Sequence, residues 1–143
     1  ILNHPESFQL DEVRIFSIFE SISDCIDISQ KGILNIAFLS DDEIQVYNRE
    51  YRWIDSTTDV LSFHYFDNFS DVADTDIAWE IILSESRILT QSSDHQHTPR
   101  IETEILILHG VLHILWFDHE TDEDYVSMWK YEHAIREKLK LTI

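Results

Sequence analysis

The stretch that opens at Pro99 constrains this chain more than any other. Proline fixes φ and lacks an N–H, so it suits the first turn of a helix and not its middle. Behind it, Ile101, Ile105, Leu108, Leu112 and Leu115 recur at helical spacing, so one side of the helix must be covered by the rest of the fold. The same helix carries His109 and His113. Residues four apart project from one helix face, about one turn from each other. His119 follows six residues later, far enough for the chain to turn back toward the same point. Three imidazoles meeting at a point make a catalytic zinc site, with an open fourth position for water. Separate histidines on a buried helix are the bland alternative, and the joint spacing of three argues against it.

A zinc ion held by neutral imidazoles stays electrophilic and can lower the pKa of a bound water to about 7. The spacing therefore points to hydrolysis. A structural zinc more often uses cysteines and fills all four positions, and Cys25 is the only cysteine here. Helical zinc peptidases place a glutamate directly after the first histidine as general base. Gly110 stands at that position, so a peptidase would lack its base. Asp118, beside the third histidine, is the nearest carboxylate in sequence. It could orient a histidine or accept a proton from water; its bland role is a turn or a helix cap.

A length of 143 residues fits one domain, spanning 1–143, with a sizeable core. A hydrophobic share of 43% and an aromatic share of 12% argue against disorder. No apolar run reaches the roughly 18–20 residues of a membrane span. The first residues carry neither a basic region nor an apolar core, so no secretory signal is expected and the chain reads as cytoplasmic. Ten basic residues face 28 acidic ones, a net charge of −18. Such a surface repels a polyanion at long range unless cations cluster locally. Glycine is scarce, Gly32 and Gly110 only, where average usage gives about ten; turns that need positive φ must often be made by other residues.

The order of elements predicts an α+β domain with a small mixed four-stranded sheet covered by helices, the histidine helix among them. Phe8 to Leu10 reads as the end of a short first strand. Residues 11–24 set Ile15, Phe16, Phe19 and Ile22 on one helical face. Ile33 to Leu39 is a buried strand. Ser40 to Glu43 is a capping box that opens a helix carrying Ile44, Tyr47 and Tyr51. Thr57 to Phe66 has strand composition, 67–75 is a polar loop, and Ile77 to Leu83 is a further strand. Residues 84–92 look helical and 92–98 form a loop in which His95 and His97 are solvated. Glu102 and Glu104 lie favourably near the positive end of the histidine helix. The last helix runs from Thr121 or Asp122 to about Leu139.

The run His109-Gly-Val-Leu-His-Ile-Leu-Trp-Phe-Asp-His119 resembles the HGxLHLxGxDH signature of the YbeY family, zinc-dependent endoribonucleases and ribosomal-RNA maturation factors. Asn48-Arg-Glu-Tyr-Arg52 and Thr58-Asp-Val-Leu-Ser-Phe63 are similar to that family's N-x-x-Y-R and TDVLSF segments, and Glu80-Ile-Ile-Leu-Ser84 more loosely to its GDIxIS strand. The matches keep the family's order over roughly residues 33–135. The resemblance implies a zincin-like domain holding one Zn²⁺ on His109, His113 and His119. It implies action on single-stranded RNA, in 3′-end maturation of small-subunit ribosomal RNA and in ribosome quality control. The small subunit or its proteins would be partners; neither DNA nor a membrane would be.

The same resemblance implies that Arg52 is the functional arginine; with His109 and the nearby carboxylate Asp118 it makes up the expected catalytic set. A guanidinium can hold a phosphate bidentately and stabilise charge growing on it. Arg49 lies one turn earlier, so the two could form a small cationic spot in an acidic protein. Two tryptophans depart from the family pattern. Trp116 replaces the glycine after the second histidine, where positive φ would cost a bulky residue about 1–2 kcal/mol. Trp79 replaces the glycine of GDIxIS, where it either packs in the core or stacks a base. Two other readings compete with the nuclease. One is a ribosome-associated binding protein with a mainly structural zinc; the other is a metallopeptidase.

Overall fold

The computed structural model describes residues 5–25, 32–65, 73, 75–116 and 122–139. In chain order it contains α1 (Glu12–Cys25), β1 (Ile33–Leu39), α2 (Asp41–Arg52), β2 (Val60–His64), β3 (Ile77–Ser84), α3 (Glu85–Asp94), α4 (Pro99–Trp116) and α5 (Asp122–Lys138). The strands join in the order β1-β3-β2. β3 runs parallel to β1 and antiparallel to β2. Its buried composition, Ala-Trp-Glu-Ile-Ile-Leu-Ser, suits a central strand covered on both faces.

Alternation along the sheet sorts its side chains into two layers. Trp79, Ile81 and Leu83 meet α1 and α4 in the larger core, with Ile18, Ile107, Leu108, Leu112 and Ile135. Ile82 and Leu61 meet Ile44 of α2 on the other face. The sheet is therefore sandwiched, with α2 on one side and the histidine helix on the other. Gly110 is what lets α4 lie close: a Cβ there would stand 3.2 Å from Ile81 Cδ1.

The mixed fold agrees with the sequence reading, with two local differences. The expected strand at Phe8–Leu10 is absent. Glu6–Phe8 is a single 3-10 turn closed by Gln9 in the left-handed region (φ 54°), which ends any extended run. Three strands, not four, are present among the described residues. Phe8 still reaches the core, its ring edge-on to Phe38 at 6.1 Å. Among the described side chains of α1 the buried apolar ones are Ile15, Ile18 and Ile22, while Phe16 is exposed.

Caps fall where the residue types place them. Ser40 and Glu43 make the reciprocal capping box of α2. Thr98 accepts the Ile101 N–H at 3.2 Å and so opens α4, with Pro99 at its first position. With glycine scarce, Trp53 closes α2 in the left-handed region at φ 57°, its ring fully in solvent. The carboxylate of Asp41, at the start of α2, accepts from the hydroxyls of Ser84 and Ser86 (2.7 Å for Ser86). Ser84 also caps α3 through the Arg87 N–H. One carboxylate thus ties two helix N-termini to the end of β3, where helix dipoles favour negative charge.

Candidate metal centre

His109 and His113 project from α4 as the four-residue spacing requires. Their Nε2 atoms lie 2.7 Å apart, with ring centroids at 4.3 Å and planes inclined by 75°. Two ring nitrogens this close cannot both present lone pairs to each other; one N–H must point at the other's lone pair. Glu132 of α5 settles which. Its Oε1 lies 3.2 Å from His109 Nδ1, and a carboxylate only accepts, so the His109 hydrogen sits on Nδ1. His109 Nε2 is left as a lone pair, and His113 Nε2–H donates to it.

This pair fits a metal ion. Ligand nitrogens at about 2.0–2.1 Å in a tetrahedral site stand roughly 3.3 Å apart. The rings already converge on one point and need open by only about 0.6 Å for a cation to replace the shared proton. The His109–Glu132 contact is the carboxylate–imidazole support that metal-ligating histidines usually have. His109 is about one-third exposed and Glu132 largely buried, so the site has an inner support and an open mouth. Glu132 carries no mark in the sequence: it is one of several acids on α5, and its partner lies 23 residues away.

His119 and Asp118 lie outside the described residues. α4 remains helical through Trp116, so the chain does not leave the helix at the family's glycine position. Arg52 is the last residue of α2 and is exposed. Among the described residues, no hydrogen bond or ion pair links it to His109, whose partners are Glu132 and His113. Arg49 lies 3.8 Å from Asp55. Trp79 is buried in the larger core, which is the bland role weighed for it. Gly110 faces Ile81. A glutamate there would point into the sheet and not toward the imidazoles, so this helix is set wrongly for a peptidase base.

One expectation is overturned. His97 is not solvated: its side chain is 6% exposed and its Nε2 lies 2.6 Å from Oε2 of the buried Glu102. His95 Nδ1 contacts the same oxygen at 3.2 Å. These three residues can hold a metal ion, their donor atoms lying within 4.8 Å of one another. The signal was available in the His-x-His spacing, but a left-handed Gln96 (φ 59°) is needed to turn both rings to one side. Glu104, expected merely to favour the helix start, is 1% exposed and held by Arg14 through two bonds of 2.7 and 2.9 Å.

The chain matches the family model for endoribonuclease YbeY over residues 1–140. It is 34% identical to the endoribonuclease YbeY of Clostridioides difficile (strain 630) over 145 residues, covering 98% of this chain and 95% of that relative. It is 31% identical to the protein of the same name from Caldicellulosiruptor saccharolyticus over 153 residues, covering 99% and 97%. Among solved structures, the solution structure of TM1509 from Thermotoga maritima superposes with a TM-score of 0.57 at 24% identity, covering 97% of this chain and 89% of that one. At that identity the likeness speaks for the fold.

Proposed function

This chain belongs to the endoribonuclease YbeY family, and from that premise we propose that it is a metal-dependent endoribonuclease acting on single-stranded RNA. The observation that carries the reading is the His109–His113 pair, converged at 2.7 Å and braced by Glu132. His109, His113 and His119 would hold one Zn²⁺. When bound there, the ion supplies Lewis-acid polarisation of a phosphoryl oxygen and a water of lowered pKa. Arg52 would hold the scissile phosphate and offset charge growing on it. Asp118 would take or return a proton at the attacking or leaving oxygen. A single domain spanning 1–143 would carry the activity, which is supported by one core joining residues from Phe8 to Ile135.

The substrate within this reading is ribosomal RNA at the 3′ end of the small subunit, with the small subunit or its proteins as partners and the cytoplasm as setting. No helix among the described residues is long and apolar enough to cross a membrane. A net charge of −18 predicts a short RNA footprint centred on Arg52 and the metal, and cleavage that weakens steeply with salt.

The test is cleavage of a labelled single-stranded RNA by zinc-loaded protein. Arg52→Ala should abolish cleavage with zinc content unchanged, and His113→Ala should lose cleavage together with the zinc ion of this centre. Cleavage that survives His113→Ala would overturn the reading.

A further inference from the structure

We propose that His95, His97 and Glu102 form a second divalent-cation site, separate from the histidine pair on α4. Glu102 Oε2 is approached by His97 Nε2 at 2.6 Å and by His95 Nδ1 at 3.2 Å. The carboxylate is 3% exposed. A carboxylate so far from water needs a cation or several donors to balance it. The backbone builds this meeting deliberately. Gln96 N–H bonds Ser93 O and His97 N–H bonds Ser92 O, a Schellman closure of α3 with Gln96 in the left-handed region at φ 59°. That closure sends two imidazoles to the start of α4.

Two polar atoms that border the cluster are left unsatisfied. Among the described residues, His97 Nδ1 and Arg136 Nε are buried without a hydrogen-bond partner. Both residues line a cleft of about 510 Å³ that also includes Asp94, His95 and Glu102. Asp94 adds a second negative charge to the lining, so the cleft is net anionic despite Arg136 when the imidazoles are neutral. Two imidazoles and carboxylate oxygen suit zinc, cobalt or nickel, whereas magnesium and calcium favour all-oxygen sites.

This ion would not take part in phosphodiester chemistry. Glu102 and His109 are seven residues apart on α4, which is about 10 Å along the axis. Paired catalytic metals stand roughly 3.5–4 Å apart. The site instead ties the α3–α4 turn to the first turn of the helix that carries His109 and His113. Binding would stabilise the native state by mass action.

The experiment is a titration of metal-free protein with Co²⁺, read by visible absorption, together with zinc stoichiometry by elemental analysis. Wild type should take up two ions per chain. His95→Ala and His113→Ala should each take up one, and the double variant none. His95 is exposed on a turn, so its truncation leaves the core intact, which circular dichroism would confirm. Glu102→Gln, which keeps the shape and removes the charge, should weaken Co²⁺ at this site by at least about tenfold. The proposal fails if His95→Ala and Glu102→Gln bind as many ions, as tightly, as wild type. Loss of an ion in His95→Ala but none in His113→Ala would uphold this site and overturn the metal centre of the proposed nuclease.

Discussion

Glu132 holds His109 from behind, its Oε1 3.2 Å from Nδ1, while His109 Nε2 faces His113 Nε2 at 2.7 Å. One contact thus determines the tautomer and the aim of a ligand contributed by another helix. Removing such a support typically costs 10–100-fold in metal affinity or activity. Glu132→Ala should therefore weaken zinc by about that range, measured by competition with a chromogenic chelator. The fold should persist, because Glu132 lies at the edge of the site and not in the core. Unchanged zinc affinity would show that the contact is incidental.

Gly110 should tolerate nothing large. Its Cα faces Ile81, which is fully buried, and a Cβ would stand 3.2 Å from Cδ1 and 3.4 Å from Cγ1. Gly110→Ala sets a helix-propensity gain of about 1 kcal/mol against a shift of a few tenths of an ångström in a packed side chain, so it should be close to neutral. Gly110→Val adds bulk that Ile81 cannot yield to and should cost about 1–3 kcal/mol. Urea denaturation of the two variants measures the difference.

Glu104 is 1% exposed and receives Arg14 through a bidentate pair, with Arg100 at 3.3 Å from the same carboxylate. The Glu104 hydrogen bond, with its charge, raises the Arg14 pKa against the opposing effect of burial. Arg14→Ala leaves a buried carboxylate with only the weaker contact. Full loss of a buried partner costs about 3–5 kcal/mol. Because Arg14 is 37% exposed and Arg100 stays, the expected loss is about 2–3 kcal/mol. Arg14→Met with Glu104→Leu should recover much of it, since no uncompensated charge remains.

The acid limb of the stability curve should depend on Asp41. Hydrogen bonds from Ser84, then Ser86, lower its pKa from the ordinary 3.8; burial opposes this, and Arg87 and Thr57 add to it. For a depressed carboxylate, the contribution is present above the unfolded value and is lost as pH falls through the folded one. Wild type should therefore lose stability below about pH 4 as Asp41 protonates, and Asp41→Asn should be less stable at neutral pH with a shallower acid limb. Chemical denaturation between about pH 2.5 and 7 would show it; parallel curves for the two proteins would exclude the mechanism.

Short-range features were legible because their physics is short-range. Pro99 and Thr98 start α4, Ser40 and Glu43 cap α2, and the four-residue step between His109 and His113 sets their shared face whatever else the chain does. Phe8 misled for the same reason. Its apolar character reads as strand, but a left-handed Gln9 turns the backbone, and the ring reaches the core from a 3-10 turn.

The chain alone determined a mixed fold and two imidazoles on one helix face, since helical periodicity depends only on neighbours within a turn or two. Tertiary structure decided which acid stands behind His109, which way Gly110 looks, and that His95 and His97 close on Glu102. Those outcomes depend on how helix and sheet layers stack and on one left-handed residue between α3 and α4. Side chains far apart in sequence, or separated by a tight turn, acquire a direction only when that stacking is complete.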